Sequence, residues 1–181
     1  LCHKFLLAPQ SSSRPLTEDC LPSCLSAFSL PGHFFSMVGY RTDEGIVFLA
    51  DCLSSKETLD KYAIGFVYDV ASYIDTLEKI KKIDAKLFIP SHAEPTTDII
   101  PLADYNIQKV NEIADRILTL TKDPVNFELI LQKLFKIYDL KMTYEQYALV
   151  GSTVRSYLSY LKNKGELDAI IQDNLLLWVK K

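Results

Sequence analysis

The fold is decided by the stretch Ile46-Val47-Phe48-Leu49-Ala50-Asp51, in which five apolar residues run directly into a carboxylate. A continuously apolar run of this length is typical of a strand that is buried on both faces. The polar turn Thr42-Asp43-Glu44-Gly45 precedes it, so residues 37–41 and 45–50 are predicted to form a hairpin. Asp51 would then follow the end of a buried strand, which is where α/β folds commonly carry a site.

Two other predicted strands are followed by metal-capable side chains. Residues 25–30 form a short apolar run closed by Pro31-Gly32, and His33 comes next. Residues 86–90 read as a buried strand stopped by its proline, with His92 two residues later. These are two of the three histidines in the chain, and with Asp51 they are ligand types that zinc or iron prefers.

His33 and Asp51 also have interpretations that need no metal. His33 could be a hydrogen-bonded histidine in a turn, and Asp51 could be the N-cap of a short helix predicted over residues 54–62. His92 lies in a proline-bounded loop after its strand. Cys52, next to Asp51, is expected to be a small buried apolar residue rather than a ligand.

The composition is that of an ordinary globular protein of one large domain or two small ones. The 181 residues are 48% hydrophobic and 24% charged, and a net charge of −3 gives no general reason to expect nucleic-acid binding. No apolar run approaches the roughly 20 residues that cross a bilayer. The pair Cys20-x-x-x-Cys24 has a zinc-like spacing, but without a second pair it favours reduced thiols in a cytoplasmic protein.

The second half of the chain has a helical pattern. Helical spacing over residues 70–83 already predicts one helix before the last strand of the first half. The further predicted elements are a long helix within 101–122, a helix over 126–138, a short helix over 143–149, a helix over 153–163 capped by Ser152 after Gly151, and a hairpin over 167–178. Helices followed by a two-stranded ribbon are typical of a winged-helix domain.

Three motifs in this order resemble the carboxyl half of the metallo-β-lactamase superfamily. They are Leu30-Pro31-Gly32-His33, Val47-Phe48-Leu49-Ala50-Asp51-Cys52-Leu53 and Phe88-Ile89-Pro90-Ser91-His92-Ala93-Glu94-Pro95. The resemblance implies an α/β fold, namely half of an αββα sandwich followed by a mostly helical, winged-helix-like domain. The expected divisions are an irregular segment 1–24, the half-sandwich 25–100, the connecting helix 101–122 and the winged-helix-like domain 123–181.

The same resemblance implies a hydrolase with two metal ions. His33 would bind the first metal, His92 the second, and Asp51 would bridge both and act in catalysis. Zinc is expected, with iron or manganese as alternatives, and a metal-bound hydroxide would hydrolyse esters or thioesters of small molecules, with phosphodiesters as the less favoured substrate class. The family's first signature, His-x-His-x-Asp-His, does not occur, and the remaining histidine is His3. We therefore expect a fragment or a degenerate relative that is inactive alone.

An alternative function is a non-enzymatic binding module that uses the winged helix to recognise nucleic acid or protein. Nucleic acid is the less favoured partner because acidic residues interleave with the basic ones of the tail. A half-sandwich would also expose an apolar sheet face and edge, so self-association is expected. No membrane partner is expected.

Overall fold

The computed structural model describes residue 17 and residues 21–181, which form two β-sheets and five α-helices. Most of the predicted irregular segment 1–24 lies outside the described residues, as do Cys2, His3 and Cys20. The elements in chain order are β1 (Leu25–Ser29), β2 (Val38–Thr42), β3 (Ile46–Ser54), α1 (Lys56–Tyr62), α2 (Val70–Ile80), β4 (Leu87–His92), α3 (Ile100–Leu120), α4 (Phe127–Ile137), α5 (Tyr144–Asn163), β5 (Leu167–Gln172) and β6 (Leu175–Lys180).

The first sheet has the strand order β1-β2-β3-β4. Strands β1, β2 and β3 are antiparallel neighbours, and β4 pairs parallel with β3 after the chain crosses over through α1 and α2. The predicted hairpin is confirmed as β2 and β3, with Gly45 at the turn in a left-handed conformation (φ 84°). The parallel pairing brings the carboxyl ends of β3 and β4 to one edge of the sheet.

The two faces of this sheet are covered unequally. Val47 and Leu49 are fully buried on the face against which α2 and α3 pack. Phe48, on the opposite face, is 39% exposed. The prediction of a strand buried on both faces is therefore wrong, because the helices of the described residues cover one side only. We call the opposite side the outer face; its central row contains Tyr40, Phe48 and Ile89 in register.

Strand β4 continues through Pro90 to His92, so the prediction that Pro90 stops it is wrong. The physical reason is the place of β4 at the edge of the sheet order. Proline has no backbone N–H, so within a central strand it removes a hydrogen bond to a neighbouring strand. In an edge strand it can be tolerated where that position faces the side without a neighbouring strand. The longer strand carries His92 along the sheet to the level of Ser54 on β3.

Helix α5 is one element of 20 residues where two helices are predicted. Its N-cap is Thr143, whose side chain accepts a hydrogen bond from the Gln146 backbone N–H, so the prediction of a cap at Ser152 is wrong. The Ser152 hydroxyl instead donates to the Leu149 carbonyl within the helix. Gly151 is tolerated inside the helix because it is buried against α4, where tertiary packing outweighs its poor helix propensity.

The carboxyl-terminal elements share a continuous apolar core with the sheet. Residues such as Leu49, Leu77, Ile117 and Leu158 belong to the same buried cluster. The predicted terminal hairpin is confirmed as β5 and β6, joined by Asp173-Asn174 in left-handed conformations. The domain boundaries and the winged-helix assignment remain predictions. Within the described residues, no helix combines the length and apolarity needed to cross a membrane.

Candidate metal centre

The three predicted ligands lie together at the carboxyl ends of β3 and β4. The Nε2 atom of His92 is 3.4 Å from Oδ1 of Asp51, and Nε2 of His33 is 3.9 Å from Oδ2 of the same carboxylate. Each oxygen of Asp51 therefore faces a different imidazole. Since 59 residues of sequence separate His33 from His92, this arrangement is a product of the fold rather than of local sequence.

Asp51 is predicted to follow the end of a strand, but it lies within β3, where irregular backbone presents it at this edge. The pairing of β3 with β4 shifts register around Ala50, and Ala50 itself has a positive φ of 48°. Such a conformation is unusual for a residue with a side chain and is often found next to functional positions. The following helix α1 is capped by Ser55, which accepts from the Thr58 backbone N–H. Asp51 therefore does not take the alternative role of helix cap.

His33 is held by a glycine that permits close contact with α2. Gly32 has a φ of 127°, and a Cβ on it would overlap the backbone of Tyr73. Its carbonyl accepts hydrogen bonds from the backbone N–H groups of Tyr68 and Asp69 at 2.9 and 3.0 Å. Only glycine fits this position without moving either segment. The Pro-Gly-His turn thus fixes His33 against the start of α2.

The surroundings of His33 favour its neutral form. Burial lowers the pKa of this imidazole, outweighing the attraction of the Asp51 carboxylate and a backbone hydrogen bond at Phe66, both of which raise the pKa. The neutral imidazole is the form that binds metal. Because metal-binding histidines commonly bond a backbone carbonyl through their other nitrogen, the Phe66 contact fits a ligand as well as a turn histidine.

His92 ends β4 and is about half exposed. Its carbonyl accepts a hydrogen bond of 2.8 Å from the Ser55 backbone N–H, which ties the end of β4 to the start of α1. The side chain faces Asp51 from the open side of the site. His92 is predicted to lie just past a strand, but it is the last residue of β4.

A buried amide, missed by the sequence analysis, supports the site from α3. Asn106 is 1% exposed, and its Oδ1 accepts from the Ser54 backbone N–H at 3.0 Å and from the Tyr73 hydroxyl at 3.2 Å. Its Nδ2 donates to the carbonyls of Ser54 and Leu102 at 2.9 and 2.8 Å. One side chain thus connects β3, α2 and α3 just beyond Asp51.

Cys52 faces away from the site into the core. It is fully buried, and burial, with a smaller effect of the Asp51 charge, raises the pKa of its thiol to about 12. A neutral thiol in apolar surroundings is a poor metal ligand. This agrees with its expected role as a small apolar residue.

A cleft of about 610 Å³ opens beside the two histidines. Its lining includes His33 and His92, together with side chains of α1, of the loop after α1 and of the segment around the start of α5. The residues from this last segment are Leu140, Lys141, Gln146 and Leu149. The sequence carried no signal for them, because they lie far along the chain and belong to no motif.

The three side chains fit a divalent metal in donor type but not in number. For zinc, ligand distances of 2.0–2.2 Å and tetrahedral geometry place two ligands on one metal about 3.4 Å apart. The Nε2–Oδ1 distance between His92 and Asp51 is 3.4 Å, which matches this spacing, whereas the 3.9 Å between Nε2 of His33 and Oδ2 of Asp51 is longer. Within the part of the chain that the structure describes, however, no three His, Cys, Asp or Glu side chains are grouped so as to hold one metal ion.

Comparisons with solved structures identify the fold. No protein-family model matches the chain, and no curated protein matches it. A metallo-β-lactamase family protein of Thermus thermophilus superposes with a TM-score of 0.68 at 15% identity, covering 87% of this chain and 49% of its own. A β-lactamase domain protein of Burkholderia ambifaria gives a TM-score of 0.70 at 13% identity, covering 87% of this chain and 48% of its own.

The chain therefore spans about half the length of these two structures. The superposition agrees with the α/β half-sandwich that the three motifs predict. At these low identities the likeness concerns the fold alone. The chain has a metallo-β-lactamase-like fold.

Proposed function

We propose that His33, Asp51 and His92 form one half of a two-metal hydrolytic centre in which Asp51 bridges the two metals. The observation that carries this proposal is the position of Asp51 between two imidazoles, with a different oxygen turned to each. A carboxylate that bound a single metal, or that formed one simple ion pair, would need to face only one of the two imidazoles.

The chain's own residues have distinct roles in this proposal. His33 and His92 would hold one metal each, and the Asp51 carboxylate would offset part of the charge of both. When bound, two divalent cations would supply the Lewis acidity that activates water for attack on a carbonyl. Neutral imidazoles preserve that acidity, which agrees with the lowered pKa of His33. Zinc is the expected metal, with iron or manganese as alternatives.

Each proposed metal has two ligands within the described residues, whereas a tetrahedral site needs four. The proposal therefore requires further ligands from outside these residues. We propose that the complete centre hydrolyses esters or thioesters, and that the 181-residue chain is inactive alone. The free thiols Cys24 and Cys52 agree with a reducing, cytoplasmic location, which belongs to the same proposal.

Paramagnetic Mn²⁺ tests the half-site without requiring tight binding. We expect added Mn²⁺ to broaden the NMR signals of His33, Asp51 and His92 before those of other residues. The variant Asp51→Asn should abolish this broadening, because it removes the charge shared by both metals. Asp75→Asn is the matched control, since Asp75 is an exposed carboxylate on α2. Equal broadening in both variants would overturn the half-site.

Hydrolysis is tested on the protein encoded by the complete reading frame that contains this chain. We expect a His-x-His-x-Asp-His signature in that frame and hydrolysis of short-chain thioesters, lost on His92→Ala and on Asp51→Asn but kept in Asp75→Asn. Absence of the signature together with absence of metal-dependent hydrolysis would overturn the enzymatic proposal.

A nucleic-acid-binding module is not proposed, because the basic side chains of the tail are largely paired. Lys162 and Lys181 contact Asp168, and Lys164 contacts Glu166. The Arg155 guanidinium lies over an aromatic ring of α4 at 3.6 Å. Neutralised or stacked cations offer a weak field to phosphate.

A further inference from the structure

The cleft beside His33 and His92 has one apolar wall. The six apolar and aromatic side chains that line it are Leu59, Tyr62, Ile64, Phe66, Leu140 and Leu149. They come from α1, from the loop that follows it and from the segment around the start of α5. The cleft volume of about 610 Å³ is in the range of small-molecule sites. Such a wall accommodates an aliphatic or aromatic arm of a substrate whose reacting carbonyl lies at the histidines.

Lys141 gives this cleft a single fixed positive charge. Among the described residues that line the cleft it is the only lysine or arginine, and none of them is an aspartate or glutamate. Lys141 makes no ion pair with any described residue, unlike the lysines of the tail. Gln146 lies in the same segment and adds an amide that can donate a hydrogen bond. An ammonium group beside the apolar side chains of a cleft is complementary to an anion at the end of an apolar arm.

We propose that the cleft selects esters or thioesters with an apolar arm that ends in a carboxylate or phosphate, and that Lys141 binds this anionic end. The proposal rests on the hydrolytic function proposed above for the reacting end of the substrate. Lys141 is a specificity residue in this account: it holds the far end of the substrate and takes no part in bond cleavage.

The test uses the chain without metal, so that binding in the cleft is measured apart from hydrolysis. Octanoate and octyl phosphate are titrated in the presence of a chelator, and binding is followed by NMR shifts of the cleft residues. We expect Lys141→Gln to weaken binding of at least one anion about five-fold, as loss of one partly solvated charge contact predicts. Octanol should bind equally to both proteins. Lys136→Gln, which removes an exposed charge from outside the cleft, is the matched control.

Two results would overturn the proposal. One is equal affinity of Lys141→Gln and Lys136→Gln for both anions. The other is a pattern of NMR shifts outside the cleft. A difference between octanoate and octyl phosphate would identify which anionic group the cleft prefers. If Mn²⁺ broadening is equal in the Asp51 and Asp75 variants while Lys141→Gln weakens anion binding, the metal centre is rejected and the anion site remains. The two proposals can therefore fail separately.

Discussion

The replacement Asn106→Ala should destabilise the protein far more than the few atoms it removes would suggest. The side chain is almost fully buried and makes four hydrogen bonds to groups of β3, α2 and α3. Its removal leaves the Ser54 N–H, the Ser54 carbonyl and the Tyr73 hydroxyl without this partner. A buried polar group left unsatisfied costs about 1–3 kcal/mol, so three of them predict a loss of about 3 kcal/mol or more.

The matched control is Asn111→Ala on the same helix. Asn111 is exposed, so its replacement should change the free energy of unfolding by about 0.5 kcal/mol or less. Both variants gain the same helix propensity, and the difference between them isolates the buried network. Tyr73→Phe removes one hydroxyl and should cost about 1 kcal/mol.

Urea unfolding followed by circular dichroism measures these differences. With a slope of about 2 kcal/mol per molar urea, Asn106→Ala should lower the midpoint by about 1.5 M relative to Asn111→Ala. The Mn²⁺ broadening at Asp51 should also weaken, because Ser54 anchors the end of the strand that carries it. Equal midpoints for the two alanine variants would refute the reasoning that this amide holds the site edge together.

Three further predictions concern other parts of the molecule. Gly32→Ala should lower the free energy of unfolding by about 3 kcal/mol or more in the same urea assay, because its Cβ would overlap the α2 backbone. Gly65→Ala is the control and should have little effect, because the space around Gly65 is open. Equal effects of the two replacements would contradict the close approach of Gly32 to α2. Iodoacetamide should label the exposed Cys24 in the native chain and spare the buried Cys52, as peptide mass mapping would show; rapid labelling of both would contradict the burial. Sedimentation velocity should show self-association through the apolar outer face, and a monomer at all concentrations would count against it.

Much of the fold could be predicted because its signals are local. The β2–β3 hairpin follows from a polar turn with a glycine, and the caps Ser55, Asp69 and Asn126 are residue types that begin helices. The likeness to a half-sandwich followed from three motifs, each at a strand end. Local patterns failed where packing decides. Gly151 lies inside a helix because α4 packs against it.

The ligands of the candidate site could be predicted from the sequence, whereas the residues around them could not. His33, Asp51 and His92 carry motif context, and the parallel pairing of β3 with β4 brings the last two together. Asn106 and Lys141 have no such context. Asn106 reaches the site because α3 packs on β3, and Lys141 because it lines the same cleft as side chains of α1; neither arrangement has a signature in a single sequence.

In the proposed centre, Asp51 bridges two metals between His33 and His92. Anomalous diffraction at the zinc edge, from crystals of the chain soaked in zinc, tests it most directly. Two anomalous peaks are expected, one between Asp51 and each histidine, at about 2.0–2.2 Å from the ligand atoms. Zinc peaks elsewhere with none beside Asp51, in crystals where this edge is open to solvent, would contradict it.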